Sequence, residues 1–168
     1  AANWGGQGLH PRGNFEGFMR AASENKWLEA HGLEHWTEFY TDYGVLLQKR
    51  FFDYFLKGLD NGWDEQPRVQ LQIRKINGFE QRHEQDWPIP RTQWTSFYIH
   101  ENLTLSTEKP ASSTTLSFDA KKDGLTFYSE PLSTDMEITG PSAFQGMISS
   151  STKDADLFIV LQVFSPDN

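Results

Sequence analysis

The stretch LEAHGLEHWTEFYTDYGVLLQKRFFDYFLKG, residues 28–58, decides the fold of this chain. Lys26 to His31 is predicted to form a short strand, which a loop follows. From Thr41 or Asp42 to Gly58, apolar residues recur every three or four positions, and this spacing predicts a long amphipathic helix that ends at the glycine. A strand, a loop and a helix in this order are typical of a unit that covers one edge of a parallel sheet.

Upstream of this stretch, a glycine-rich segment precedes a second predicted helix. Residues 3–8 read Asn-Trp-Gly-Gly-Gln-Gly, so the backbone there can turn sharply or approach another group closely. The Gly5 to Gly8 turn is predicted to be either an active-site loop at the carboxyl edge of a sheet or an ordinary connection. Asn14 is predicted to cap a helix that runs to about Asn25.

His35 lies in the predicted loop between the strand and the long helix. An imidazole can accept and return a proton near neutral pH, so His35 is a candidate general base. The alternative is a surface or capping histidine. His31 and His35 are four residues apart, which suits two metal ligands on one helical turn, but Gly32 and the preceding strand argue against a helix there.

The second half of the chain is predicted to be rich in short strands. Val69 to Ile73 alternates apolar and polar residues, as a half-buried strand does. Further candidate strands are Thr92–His100, Leu103–Ser106, Thr114–Phe118, Leu125–Tyr128, Met136–Thr139, Phe144–Ser150 and Asp156–Phe164. Many short strands separated by turns predict a β-sandwich.

Two groups of side chains in this half leave alternatives open. Asp154 and Asp156 suggest either a calcium site or surface turn charges. Aromatic residues at strand spacing suggest either a substrate groove or core packing: Trp87, Trp94, Phe97 and Tyr98. The apolar run Leu157 to Phe164 has no return strand after it, which predicts that the chain is an internal fragment.

Length and composition set outer limits on the function. The 168 residues are predicted to divide into residues 1–64, the end of one domain, and residues 65–168, the start of another. A net charge of −8 argues against nucleic-acid binding, and the absence of cysteine excludes thiol chemistry in this chain. No apolar run is long enough for a membrane span. A reducing, cytoplasmic compartment suits these features.

Three segments in the first 58 residues resemble the CocE/NonD family of hydrolases, which includes cocaine esterase and the X-Pro dipeptidyl-peptidases. The resemblance rests on Asn-Trp-Gly-Gly-Gln-Gly at 3–8, Leu-Glu-Ala-His-Gly-Leu-Glu-His at 28–35 and Gln-Lys-Arg-Phe-Phe-Asp-Tyr-Phe-Leu-Lys-Gly at 48–58. It implies an α/β fold plus β: the C-terminal part of an α/β-hydrolase domain, followed by a partial jelly-roll β-sandwich. It also implies that His35 is the base of a Ser-His-acid relay.

Two members of that relay are not assigned in this sequence. No serine lies in a Gly-x-Ser-x-Gly context, so the nucleophile is expected upstream of residue 1. Where the family usually has an aspartate, this chain has Gly6 or Gln7. A carboxylate upstream of residue 1, Glu16 or Glu34 substitutes for it, or the relay is weakened.

The resemblance therefore implies a serine hydrolase that cleaves ester or amide bonds, with His35 as its general base. A small-molecule ester or peptide-like substrate is expected, with no cofactor, metal, nucleic acid or membrane partner, and homo-oligomer formation is left open. The alternatives are a non-catalytic β-sandwich binding module and a family member that has lost activity.

Overall fold

The computed structural model describes residues 1–6 and 9–165, and its first compact unit is built on a mixed sheet. This unit comprises Ala1–Arg91 with Gly140–Ser142. Its elements are β1 (Ala2–Asn3), α1 (Pro11–Arg20), β2 (Leu28–His31), α2 (His35–Phe39), α3 (Asp42–Lys57), a 3₁₀ turn (Trp63–Glu65), β3 (Val69–Lys75) and β4 (Gly78–Glu84). The sheet order is β1-β2-β3-β4; β1, β2 and β3 run parallel, and β4 is antiparallel to β3.

The core of this unit lies between α1 and one face of the sheet. Val69 and Leu71 are fully buried, and burial of such side chains stabilises the fold by about 1.5–3 kcal/mol each. The ring of Phe15 stacks on Trp4 at 5.5 Å and on Trp87 at 4.4 Å, measured between centroids. Trp87 is therefore a core residue, in agreement with the packing alternative.

Helix α1 begins and ends earlier than predicted. It begins at Pro11 and ends at Arg20, whereas a helix from Asn14 to about Asn25 was expected. Proline fits the first helical position because its fixed φ suits the helix and the N–H that it lacks would be unpaired there. The Asn14 side chain donates to the His10 carbonyl at 3.1 Å from inside the helix, so it is not a cap. Ala21 is extended and ends the helix.

Helix α3 has the predicted bounds. The Thr41 hydroxyl accepts a hydrogen bond from the Gly44 N–H at 3.1 Å, as an N-cap does. Gly58 adopts φ 65°, a left-handed conformation that glycine takes without steric cost, and it ends the helix. Within the helix, the buried carboxylate of Asp53 bonds Lys49 on one side and Lys57 on the other, the latter at 2.6 Å.

His35 is the first residue of α2, not a loop residue as predicted. Glu34 precedes the helix in extended conformation, and its carbonyl accepts the Thr37 N–H at 3.0 Å. A five-residue helix is too short to show a helical period in the sequence.

Strand β4 was not predicted, because GFEQRHE lacks the alternation of a half-buried strand. It forms a hairpin with β3, in register from Val69↔Glu84 to Lys75↔Gly78. The buried Glu84 carboxylate is paired with Arg91 at 2.5 and 2.6 Å and with Arg82 at 2.7 Å. The bonds to Arg91 hold the pKa of Glu84 below its usual range.

The second compact unit comprises Thr92–Thr139 and the segment that starts at Ala143. Its strands β5 (Tyr98–Ile99) and β6 (Leu105–Ser106) pair antiparallel, and Thr104 forms a bridge with Tyr128. Four predicted strands form no ladder among the residues that the structure describes: Thr114–Phe118, Met136–Thr139, Phe144–Ser150 and Asp156–Phe164. A strand needs a neighbour for its N–H and C=O groups, and alternation alone does not supply one.

The predicted division between residues 64 and 65 stays a prediction. The compact units divide after Arg91, and the parallel pairing of β2 with β3 joins residues on both sides of position 64 in one sheet.

Candidate active site

Two loops leave the carboxyl ends of β1 and β2 side by side. The Trp4 N–H donates to the His31 carbonyl at 2.9 Å, and the Gly5 N–H donates to the Leu33 carbonyl at 3.4 Å. Because β1 and β2 are parallel neighbours, both loops emerge at the same edge of the sheet. This edge is where open α/β sheets place their ligands.

Gly5 permits the close approach of these loops. A Cβ at this position would lie 2.9 Å from the Glu34 nitrogen and 2.9 Å from the Leu33 carbonyl carbon. The next residue, Gly6, is held by its N–H, which donates to the Asn3 side chain at 2.7 Å. The turn is therefore fixed against the loop that leads to His35. Gln7 and Gly8, which complete the predicted Gly5 to Gly8 turn, lie outside the described residues.

An open cleft of about 360 Å³ lies between the two loops. Its lining includes residues of the glycine turn, the start of α1 and the start of α2: Gly5, Gly6, Leu9, His10, Glu34, His35 and Trp36. His35 is exposed, and its ring contacts those of His10 at 4.8 Å and Trp36 at 4.5 Å between centroids. The arrangement presents an accessible imidazole beside a cavity that can admit a substrate.

The two glutamates considered as acid partners have different surroundings. Glu34 lines the cleft beside His35, and its Oε2 accepts the Thr37 hydroxyl at 3.4 Å. Glu16 is paired with Arg20 at 2.6 Å on the surface of α1. Of these two carboxylates, Glu34 is therefore the one at the cleft.

His31, at the end of β2, is buried and does not line the cleft. Its Nδ1 has no hydrogen-bond partner among the described residues, and burial lowers its pKa, which favours the neutral ring. Over residues 1–6 and 9–165, no three histidine, aspartate or glutamate side chains converge as metal ligands, either at the His31 and His35 pair or at Asp154 and Asp156.

Gln72 and His10 contribute to the site but were not predicted. Gln72, on β3, accepts the Gly32 N–H on its side-chain Oε1 at 2.8 Å. Its backbone carbonyl accepts the Trp4 indole N–H at 2.6 Å. His10 precedes Pro11 at the start of α1, and that proline was the signal that could have located it.

A second, smaller cleft of about 220 Å³ lies beside α3. It is lined by Tyr43, Leu46, Leu47, Arg50, Gln66 and Gln70. Burial raises the pKa of Glu29 on β2, and burial together with Glu29 raises the pKa of Tyr43. A neutral phenol and a carboxyl of reduced acidity fit a structural contact between β2 and α3.

The four aromatic residues considered for a substrate groove belong to two different compact units. Trp87 is in the core of the first unit, whereas Trp94 is 69% exposed and belongs to the second unit with Phe97 and Tyr98.

In the described part of the chain, the helices all fall short of the length and apolarity that a membrane span requires.

Comparison with known proteins finds a family model, a curated relative and solved structures that are similar to this chain. A family model described as the X-Pro dipeptidyl-peptidase C-terminal non-catalytic domain matches residues 61–168. Cocaine esterase from Rhodococcus sp. (strain MB1 Bresler) is 29% identical over 85 residues, which are 51% of this chain and 14% of the esterase. Crystal structures of a CocE/NonD family hydrolase from Staphylococcus aureus are 41% identical with a TM-score of 0.62, covering 66% of this chain.

The chain spans only a small part of these relatives, 20% of the staphylococcal hydrolase and 14% of the esterase. The family model starts at residue 61, so His35 and the glycine turn lie outside the matched range.

Proposed function

We propose that this chain is part of a serine hydrolase with His35 as general base. The premise is that the chain belongs to the CocE/NonD family of hydrolases and carries the X-Pro dipeptidyl-peptidase C-terminal domain at residues 61–168. The observation that carries the proposal is the position of His35. It lies exposed in a cleft at the carboxyl ends of two parallel strands, β1 and β2. An α/β-hydrolase presents its histidine at this edge of its sheet.

The proposed reaction is acyl transfer to a serine that lies outside these 168 residues. The serine hydroxyl attacks an ester or amide carbonyl while the His35 imidazole takes its proton. The same proton then passes to the leaving alcohol or amine, and water releases the acyl group in the second half of the cycle. Of the two carboxylates considered, Glu34 is the one that lines this cleft, so it is the candidate to orient the imidazole.

The full-length fold belongs to the proposal too. Residues 1–64 are the end of an α/β-hydrolase domain, and residues 65–168 are the start of a jelly-roll sandwich. Exposed apolar side chains support this view of residues 65–168, since Phe158 is 90% and Val163 83% exposed within the described residues. A further sheet would cover them. A small-molecule ester or peptide-like substrate and a cytoplasmic location stay predictions.

The test is His35→Ala in the full-length protein, with an aryl ester and an X-Pro arylamide as substrates. Loss of the base should lower kcat by about 10⁴-fold or more, because the serine then has no proton acceptor. His83→Ala is the matched control, since His83 is an exposed histidine on β4. Near-normal turnover in the His35 variant would contradict the proposal.

A non-catalytic binding module is the second candidate. It is favoured by one observation, namely that the matched family domain is described as non-catalytic. A full-length protein that hydrolyses neither substrate and reacts with no serine-directed probe would favour this candidate.

A further inference from the structure

Strand β3 belongs to the region matched as non-catalytic, yet it lies directly beside the strand that leads to the candidate base. It pairs in parallel with β2 through Leu28↔Val69 and Ala30↔Leu71. Val69, Leu71 and Ile73 face the core, so Gln70 and Gln72 lie on the opposite face of the same strand. Gln72 follows the last paired residue and so stands next to the point where β2 gives way to its loop.

Gln72 bonds both loops that form the cleft. Its side-chain oxygen accepts the Gly32 N–H at 2.8 Å, and its backbone carbonyl accepts the Trp4 indole N–H at 2.6 Å. The only direct backbone bond described from Gly5 to the other loop, donated to Leu33, is longer, at 3.4 Å. Hydrogen bonds weaken as this distance grows, so the Gln72 contact restrains the start of the His35 loop more strongly than the bond between Gly5 and Leu33 does.

The ring of Phe79, on β4, covers the same glycine. A Cβ on Gly32 would lie 2.5 Å from Phe79 Cε2. The residue that begins the loop is thus held by a hydrogen bond from one strand of the hairpin and by a ring from the other. Three residues later the chain reaches His35.

We propose that Gln72 is a positioning residue for His35, through which the C-terminal family domain sets the geometry of the catalytic loop. The inference rests on the proposed function. Gln72 touches neither substrate nor the reacting atoms. It bonds Gly32 and Trp4, and these residues directly precede the two loops that line the cleft.

The test is Gln72→Leu in the full-length hydrolase, which removes the acceptor and keeps a side chain of similar size. Loss of a residue that orients a catalytic group typically costs 10- to 100-fold, so kcat and kcat/KM should fall together by about that factor. KM should change less than about threefold, because the substrate contacts are unaltered. Gln72→Glu keeps an oxygen acceptor for Gly32 and should restore most of kcat.

Gln70→Leu is the matched control. It changes the same residue type on the same face of β3, where the side chain of Gln70 lies 3.5 Å from Gln66 and lines the second cleft instead. We expect its kcat to stay within about twofold of wild type. A fall in kcat for Gln70→Leu as large as that for Gln72→Leu would overturn the proposal, as would failure of Gln72→Glu to exceed Gln72→Leu.

Two further variants keep the outcomes distinct. If Gln72→Leu does not fold, Gln72→Met takes its place, because it also removes the side-chain acceptor for Gly32 and keeps a flexible side chain of similar length. It should lower kcat about tenfold; an unchanged kcat there overturns the proposal. His35→Ala is assayed in parallel. An inactive His35 variant beside a normal Gln72→Leu refutes the positioning role alone, whereas an active His35 variant refutes the proposed function.

Discussion

Gly5→Ala should destabilise the protein and reduce its activity, although glycine-to-alanine changes often stabilise. The new Cβ would lie 2.9 Å from backbone atoms of Leu33 and Glu34. These atoms cannot move as the end of a flexible side chain can. The turn and the His35 loop must therefore separate by about half an ångström before the contact reaches ordinary van der Waals distance.

The expected size follows from two opposing effects. Overpacking of this kind costs about 1–3 kcal/mol, whereas loss of glycine's freedom in the unfolded chain contributes about 0.4–1 kcal/mol of stability. The difference between the midpoints of these two ranges is a loss of about 1.3 kcal/mol in the free energy of unfolding, and the extremes are about 0 and about 2.6 kcal/mol. A displacement of 1 Å can cost about 100-fold in rate, so half of that should lower kcat about tenfold.

The assay is urea unfolding of the full-length protein, followed by tryptophan fluorescence, with kcat measured on the same samples. Gly17→Ala is the matched control, because Gly17 is exposed in α1 and a Cβ there would meet nothing within 4 Å. It should raise stability by about 0.5–1 kcal/mol without changing kcat. Equal stabilisation by both substitutions would refute the inferred close approach of the two loops.

Two further predictions concern an ion pair and the isolated chain. Lys49 and Lys57 hold the pKa of Asp53 below its usual range, so the ionised carboxylate stabilises the folded state above about pH 4 and this contribution is lost as the pH falls through the lowered pKa. Asp53→Asn should therefore lower the urea midpoint of unfolding at pH 7, and this decrease should become smaller below pH 4. The control is Glu16→Gln, which removes an exposed ion pair and should change the free energy of unfolding by less than about 1 kcal/mol. A decrease for Asp53→Asn that stays the same as the pH falls below 4 would contradict the pairing. The 168-residue chain alone should not react with a fluorophosphonate probe, whereas the full-length protein should be labelled at one serine, as measured by mass spectrometry. Labelling of the isolated chain would show that the nucleophile lies within these 168 residues and not upstream of them.

Local signals in the sequence predicted the elements that depend on local chemistry. Thr41 and Gly58 set the ends of α3 because a cap and a left-handed residue act on their own helix. The end of α1 was missed because Ala21, where the chain becomes extended, carries no stop signal. The position of His35 between strand and long helix was predicted, but not the short helix that contains it.

Contacts between distant residues could not be predicted in the same way. Gln72 and Gly32 are 40 residues apart, and nothing in either residue indicates the other. Strand β4 exists because β3 pairs with it, not because its own sequence favours a strand. In the second unit, alternation indicated strands such as Asp156–Phe164, but alternation cannot show whether a partner strand is present.

The parallel pairing of β2 with β3 also bears on how this family could be recombined. A chimaera joined at residue 61, where the family domain begins, would exchange two strands of a sheet whose other two strands stay with the host. The incoming segment would have to match its host in register and supply an acceptor opposite Gly32. A junction after Arg91 would transfer no part of that sheet. The boundary of the family domain, at residue 61, and the boundary of the first compact unit, after Arg91, therefore lie about thirty residues apart in this chain.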